Sequence, residues 1–390
     1  MAATGNPTGA PRRGAIGRAF AVVVAVIAIA TLIAMVAMWP GEVDAPVSEG
    51  LAGETERAAV ESVTYEACPP PQAGECGTAE VRLEGGPDQG ELTTLTLGGA
   101  GLEPELEPGD EIRVARAEGG PTATSTYTLV DFERRGPLLW LAIVFAALVV
   151  VFGRLRGALS LVGLAISLAV VVAFIVPAIL DGSAPLAVAI VGSLAIMLAT
   201  VSLAHGVGPK SIAAMLGTAV SLALVAALAL AFTNLAHITG LSSEEGAILL
   251  QGGADVSLEG LLLAGIVIAA LGVLDDVTVS QASTVLALRA ANPGQGFREL
   301  YGGALRVGRD HVSATVNTLV LAYVGASLPL LLIFSSGEIG LVDAVGTELI
   351  AKEVVGTLVG SIGLIAAVPI TTALAVVLAS DPAAERAARP

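Results

Sequence analysis

The chain has 390 residues, 54% of them hydrophobic, with a mean hydropathy of +0.82 and a formal net charge of −16. Its apolar residues come in membrane-length blocks, which excludes a soluble enzyme, and its charge has the wrong sign for a nucleic-acid binder.

Residues 1–18 are rich in Gly, Pro and Ala, carry Arg12, Arg13 and Arg18, and read as a disordered cytosolic tail. The apolar block 19–39 is long enough to cross a hydrocarbon core of ~30 Å at about 1.5 Å per residue. It exceeds a signal-peptide h-region and no clear small-x-small cleavage site follows, so an uncleaved signal anchor is favoured, with a cleaved signal peptide as the alternative.

Residues 40–135 hold 20 Asp and Glu against 6 Lys and Arg, so nearly all the charge imbalance sits there. An acidic domain outside the membrane does not suit nucleic acid or anionic lipid as its partner. Runs at 60–67, 78–83, 92–97, 111–117 and 125–133 alternate as strands do. Turn signals such as Glu107-Pro108-Gly109-Asp110 separate them, and together they predict a small all-β barrel or sandwich. Cys68 and Cys76 frame a turn in this domain. In an oxidising compartment they read as a disulfide; two free thiols are the alternative, and a metal site lacks further ligands.

Seven more apolar blocks follow, at 137–153, 157–180, 184–204, 211–233, 260–279, 313–334 and 354–379. Trp39 and Trp140 close the first span and open the second, where interfacial belts place tryptophan. With a cytosolic N-terminus, inner loops hold Arg154, Arg156, Lys210, Arg289, Arg298, Arg306 and Arg309, and the 380–390 tail holds Arg386 and Arg389. Outer loops hold Asp181, Glu244, Glu245, Asp255, Glu338, Asp343 and Glu348, and only Lys352 breaks the positive-inside pattern. The reading is a cytoplasmic-membrane protein with both termini cytosolic and 40–135 extracytoplasmic.

Ionisable residues at membrane depth are costly and mark functional sites by default. Asp275 and Asp276 lie late in the sixth span, with Thr278 three residues beyond Asp275. In the seventh, Arg306, Asp310, Ser313 and Asn317 fall at spacings of four, three and four on one helical face, with His311, Thr315 and Thr318 beside it. The expectation is that the two stripes meet and Arg306 or Arg309 neutralises a carboxylate. Such a cluster binds and releases a proton or small cation; the alternative is that it staples two helices. Gly356, Gly360 and Gly363 suit close helix packing. Pro369-Ile-Thr371-Thr372 suggests a kink with hydroxyls for freed carbonyls. No phosphate loop, His–Glu metal motif or Gly-x-Ser-x-Gly elbow occurs, so no catalytic set, metal site or cofactor is expected. Asp275 and Asp276 diverge by about 100° on one helix, unlike an aspartyl protease pair.

Four segments carry a resemblance: Leu271-Gly-Val-Leu-Asp-Asp-Val-Thr-Val-Ser-Gln-Ala282, Gly308-Arg-Asp-His-Val-Ser-Ala-Thr-Val-Asn-Thr-Leu319, Leu321-Ala-Tyr-Val-Gly-Ala-Ser-Leu-Pro329 and Leu358-Val-Gly-Ser-Ile-Gly-Leu364. They resemble the YibE/F family of multi-pass membrane proteins, and with the outer domain the likeness extends over roughly 55–379. It implies an architecture more than an activity. The layout also resembles, more weakly, the SecF half of the SecD/SecF export motor, with Asp275 or Asp276, the segment 281–309 and Thr315 or Thr318 as counterparts. This chain departs from it in having two more spans.

The expected fold is an α-helical polytopic bundle of about eight spans with a small all-β extracytoplasmic domain. The favoured function is a transporter or export-associated protein, ion-coupled through the Asp pair. The rival is a non-transporting scaffold or sensor whose outer domain binds a protein partner. Membrane lipid and a proton or small cation are the other expected partners.

Overall fold

A computed structural model describes residues 13–41, 55–68, 75–97, 104–116, 127–253, 255–337 and 340–380. Of the tails expected at 1–18 and 380–390, residues 1–12 and 381–390 lie outside the described residues, as do Ala117, Ser125, Thr126 and Glu338, while residues 13–18 are helical. The chain divides into two compact units, 45–151 on the one hand and 1–44 with 152–390 on the other.

The first unit holds β1 (Thr55–Ala67), β2 (Glu75–Leu83), β3 (Leu92–Leu97), β4 (Glu111–Arg116) and β5 (Tyr127–Phe132). They form one antiparallel sheet in the order β3-β2-β1-β4-β5, and its edge strands β3 and β5 approach each other, so the sheet curls. Side chains alternate across a strand with period two. The residues Val60, Val81, Leu83, Leu95, Ile112 and Val114 thereby turn to one side and are buried together. Leu106, on a loop, closes this core; the Tyr65 hydroxyl accepts its N–H at 2.7 Å and fixes the loop. Cys68, just past the end of β1, is disulfide-bonded to Cys76, which pairs with Glu66 within β2, with an Sγ–Sγ distance of 2.11 Å.

The helices are α1 (Arg13–Ala37), α2 (Arg135–Val170), a π-helical turn at Val171–Ile175, α3 (Val176–Leu180), α4 (Pro185–His205) and α5 (Pro209–Leu235). They continue with α6 (Glu244–Gln251), α7 (Leu258–Ala291), α8 (Phe297–Ala326), α9 (Leu328–Ser336), α10 (Leu341–Val345) and α11 (Glu348–Ala379). Among the described residues, six helical stretches are long and apolar enough to cross a bilayer, or seven if α8 and α9, bent by 60° at their junction, form one span. The bend falls at Ser327, two residues before Pro329, whose ring removes a backbone donor from the continuing helix.

The expected count of about eight differs because α2 to α3 run as one helical stretch of 46 residues. Unbroken, that many residues would make a helix of about 69 Å, over twice a hydrocarbon core. The stretch breaks at Arg154, with φ 53° and ψ −134°, where the sequence predicts a connection between two spans.

In the second unit α5, α7 and α11 form the centre, with α4 and α8 packed against them. Glycines bring the helices close. A Cβ at Gly363 of α11 would stand 2.2 Å from Val225 of α5, whereas those at Gly356 and Gly360 would meet nothing nearer than 3.6 Å. Two polar contacts fix helix ends. The Ser257 hydroxyl caps α7 by accepting the Gly260 N–H at 3.0 Å. The Glu348 carboxylate, opening α11, accepts the N–H groups of Thr239 at 3.0 Å and Gly240 at 2.6 Å.

Candidate functional site

Asp275 is half-buried on α7 and faces α4, where the Thr200 hydroxyl lies 3.4 Å from its Oδ2. Its Oδ1 is buried and has no hydrogen-bond partner among the described residues. The hydroxyl hydrogen of Thr200 has nearer acceptors, the carbonyls of Ile196 at 2.9 Å and Met197 at 3.3 Å. One hydrogen serves one strong bond, so Thr200 offers Asp275 an oxygen lone pair as much as a donor.

Both carboxylates line a cavity of about 570 Å³ between α2, α4 and α7, together with Ser167, Thr200, His205 and Gly272. Asp276 is the exposed member of the pair. Gly163 of α2 lies against Thr200, whose methyl a Cβ at 163 would meet at an ordinary contact distance of 3.5 Å.

Thr278 does not belong to this cavity. It is fully buried between α5 and α7, its hydroxyl 2.7 Å from that of Thr218 and 3.2 Å from the Asp275 carbonyl. One turn on, the Gln281 side-chain amide donates to the Thr372 hydroxyl at 2.7 Å and to the Ala304 carbonyl at 3.0 Å. These contacts join α7 to α5, α8 and α11 in a buried polar layer. Sequence reasoning missed Thr218 and the role of Gln281. A buried amide within an apolar span was the available signal for the second.

The expected meeting of the Asp pair with the polar stripe of α8 is not what the structure shows. Helix α8 packs through Leu300, Ala304 and Gly308, and through Leu305, Val312 and Val316 against Val277, Leu364 and Val368. Arg306, Arg309, Asp310, Ser313 and Asn317 are exposed away from these contacts, His311 is exposed as well, and Thr315, half-buried, bonds its own helix through the His311 carbonyl at 2.9 Å. At about 100° per residue, Val277 lies some 200° around α7 from Asp275, so α8 sits behind that carboxylate. Small residues explain the choice: a Cβ at Gly308 would meet Val368 at 2.5 Å and Gln281 at 2.8 Å, so this is the face that permits close approach. Among the described residues no ion pair links Asp275 or Asp276 to Arg306 or Arg309.

Among the described residues no three His, Cys, Asp or Glu side chains are grouped to hold a metal ion. What the arrangement offers is a carboxylate with one unsatisfied oxygen, a hydroxyl beside it and a second carboxylate at the cavity surface.

No curated protein and no solved structure matches the chain. The model of the YibE/F-like protein family matches residues 141–381. The match runs from within α2 to the end of α11; it leaves out the β domain, which the likeness read from sequence included. The match takes in all three cavity-lining helices and the buried polar layer and covers more than half of the chain, so this polytopic membrane protein belongs to the YibE/F-like family.

Proposed function

We propose that the chain is a transporter or export-associated protein in which Asp275 binds and releases a proton or small cation. The observation that carries this reading is the buried Asp275 Oδ1 without a partner in a cavity between helices. An ionisable group in a span is expensive and is kept where it handles charge. A purely stapling carboxylate would have a cation or several donors, and Asp275 has one distant hydroxyl. Thr200 can accept from a protonated Asp275 or join it around a small cation, and Asp276 serves the cavity surface as the exchange partner. The α8 stripe has no part in this scheme.

The same proposal takes 135–180 as two spans separated at Arg154 and α8–α9 as one, giving eight spans with both termini cytosolic and the β domain outside. The positive-inside distribution supports that orientation.

Ion-dependent flux or growth of a deletion strain, rescued by wild type or by Asp275→Asn, tests the reading. The expected result is loss of rescue with folded, inserted protein at wild-type yield. Rescue in proportion to folded yield would reduce Asp275 to a structural residue.

A further inference from the structure

The junction of α4 and α5 holds a second constellation, which shares His205 with the wall of the Asp275 cavity and does not depend on the transport reading. Helix α5 starts at Gly208 and Pro209 with no side-chain cap. Its first backbone N–H bonded back into the helix is that of Ile212, to the Gly208 carbonyl at 2.9 Å. The N–H groups of Lys210 and Ser211 are therefore the donors a helix start leaves open, where the helix dipole also favours an anion.

The Ser211 side chain is 1% exposed, its hydroxyl has no partner among the described residues, and it lines an adjoining groove. Two cations, Lys210 and Arg156, gather at the same end beside the imidazole of His205. Lys210 Nζ lies 3.4 Å from His205 Nδ1, and Arg156 is within Coulombic range of both. Among the described residues no ion pair joins any of them to a carboxylate. An open helix start, a buried hydroxyl without a partner and uncompensated positive charge all call for the same thing, a phosphate.

The groove itself is apolar, about 460 Å³, and runs between α1, α4 and α5 with walls that include Ala25, Ala28, Leu198, Ala199 and Met215. Ala21, Ala25 and Ala28 recur at spacings of four and three on one face of α1, so small side chains leave the channel open. From Ala21 to Leu32 it extends about 16 Å, half of a hydrocarbon core, the depth one acyl chain reaches below its headgroup. A free phosphate in water has no use for such a channel. A choline headgroup would bring its own positive charge to two cations.

We propose that this groove binds one anionic glycerophospholipid, its phosphate at the start of α5 among Lys210, Ser211, His205 and Arg156 and one acyl chain between α1, α4 and α5. Full-length protein in detergent is mixed with phosphatidylglycerol, phosphatidylcholine or glycerol 3-phosphate, and retention by native mass spectrometry is read beside the melting temperature. Phosphatidylglycerol is expected to be retained and to raise the melting temperature, and the other two to do neither. Lys210→Gln with His205→Gln should weaken retention about tenfold or more, about 1.4 kcal/mol. Ala28→Leu, which fills the groove and leaves every phosphate contact in place, should do the same. Equal retention of phosphatidylcholine would overturn the proposal. An equal shift with glycerol 3-phosphate would overturn the lipid in favour of a bare phosphate site. Unchanged phosphatidylglycerol retention in Ala28→Leu would also overturn it, whether or not the double variant folds.

Discussion

Gly217 of α5 faces Thr371 of α11 so closely that a Cβ at 217 would lie 2.0 Å from the Thr371 hydroxyl oxygen and 3.0 Å from its Cβ. Both residues are buried, and although a change of rotamer could move the hydroxyl, it would not move the Thr371 Cβ. Gly217→Ala should therefore force α5 and α11 apart and destabilise the bundle by about 1–3 kcal/mol, as overpacking does. The same change at Gly265 of α7, where a Cβ meets nothing within 4 Å, should be neutral or stabilising. Melting temperatures of the two variants in one detergent check this, and Thr371→Ala should partly rescue Gly217→Ala. If both glycine variants melt alike, close α5–α11 packing is not a source of stability.

That relationship marks where sequence reading stops. The strands were legible because period-two alternation directly encodes a half-buried sheet, and β3 spans the same 92–97 as the run that predicts it. Apolar blocks were legible because hydrocarbon thickness fixes their length. The face of α8 was misjudged because its polar stripe was taken to seek the interior. Ala304 and Gly308 were the better guide, since backbone approach, not polarity, decides which side of that helix packs. The pairings Thr218–Thr278 and Gln281–Thr372 were not legible, even though the Gln281 amide itself was a signal, because each bond depends on which helices become neighbours, and no local pattern states that.

In the β domain, Asp88 joins Tyr127 and Arg116: the Tyr127 hydroxyl donates to Asp88 Oδ2 at 2.7 Å, and Arg116 pairs with the same oxygen. The Tyr127 bond, with Arg116 second among the favourable partners, holds the Asp88 carboxyl below its ordinary 3.8. The same hydrogen bond, then burial, pushes the Tyr127 hydroxyl up to about 12 from 10.0. The signs are opposite. The Asp88 contribution is present above the ordinary carboxylate value and is lost as pH falls through its lower folded value. The Tyr127 contribution is full below pH 10 and is lost as pH rises through about 12. Asp131, held down by Arg134, adds to the acid arm. Tyr127→Phe should thus abolish the alkaline arm and shrink the acid one without removing it. Melting curves of the protein followed by β-sheet circular dichroism across pH check both arms. An unchanged alkaline limb would dissociate Tyr127 from the domain's stability.

The last expectation concerns Thr200, which stands between the transport reading and a merely structural Asp275. Its oxygen is 2.9 Å from the Ile196 carbonyl and 3.4 Å from Asp275, so the backbone holds its hydrogen and the carboxyl receives what remains. Thr200→Val keeps the side-chain volume and the methyl that Gly163 approaches, and removes only the oxygen. Thr200→Ser keeps the oxygen and drops the methyl. If the oxygen completes a proton or cation site, the Val variant should lower ion-dependent flux by an order of magnitude or more, as for a lost charge-assisted contact worth about 1.5–3 kcal/mol. Its folded yield should stay near wild type, because a single interhelical hydrogen bond in a membrane contributes on average about 0.6 kcal/mol. The Ser variant should retain flux. The readout that separates the two roles is the concentration of coupling ion, or the pH, giving half-maximal flux: it should shift in Thr200→Val and stay in place in Thr200→Ser. Flux that follows packing instead, impaired in the Ser variant and intact in the Val variant, would assign Thr200 to the α2–α4 contact and leave Asp275 without a partner in any ion site.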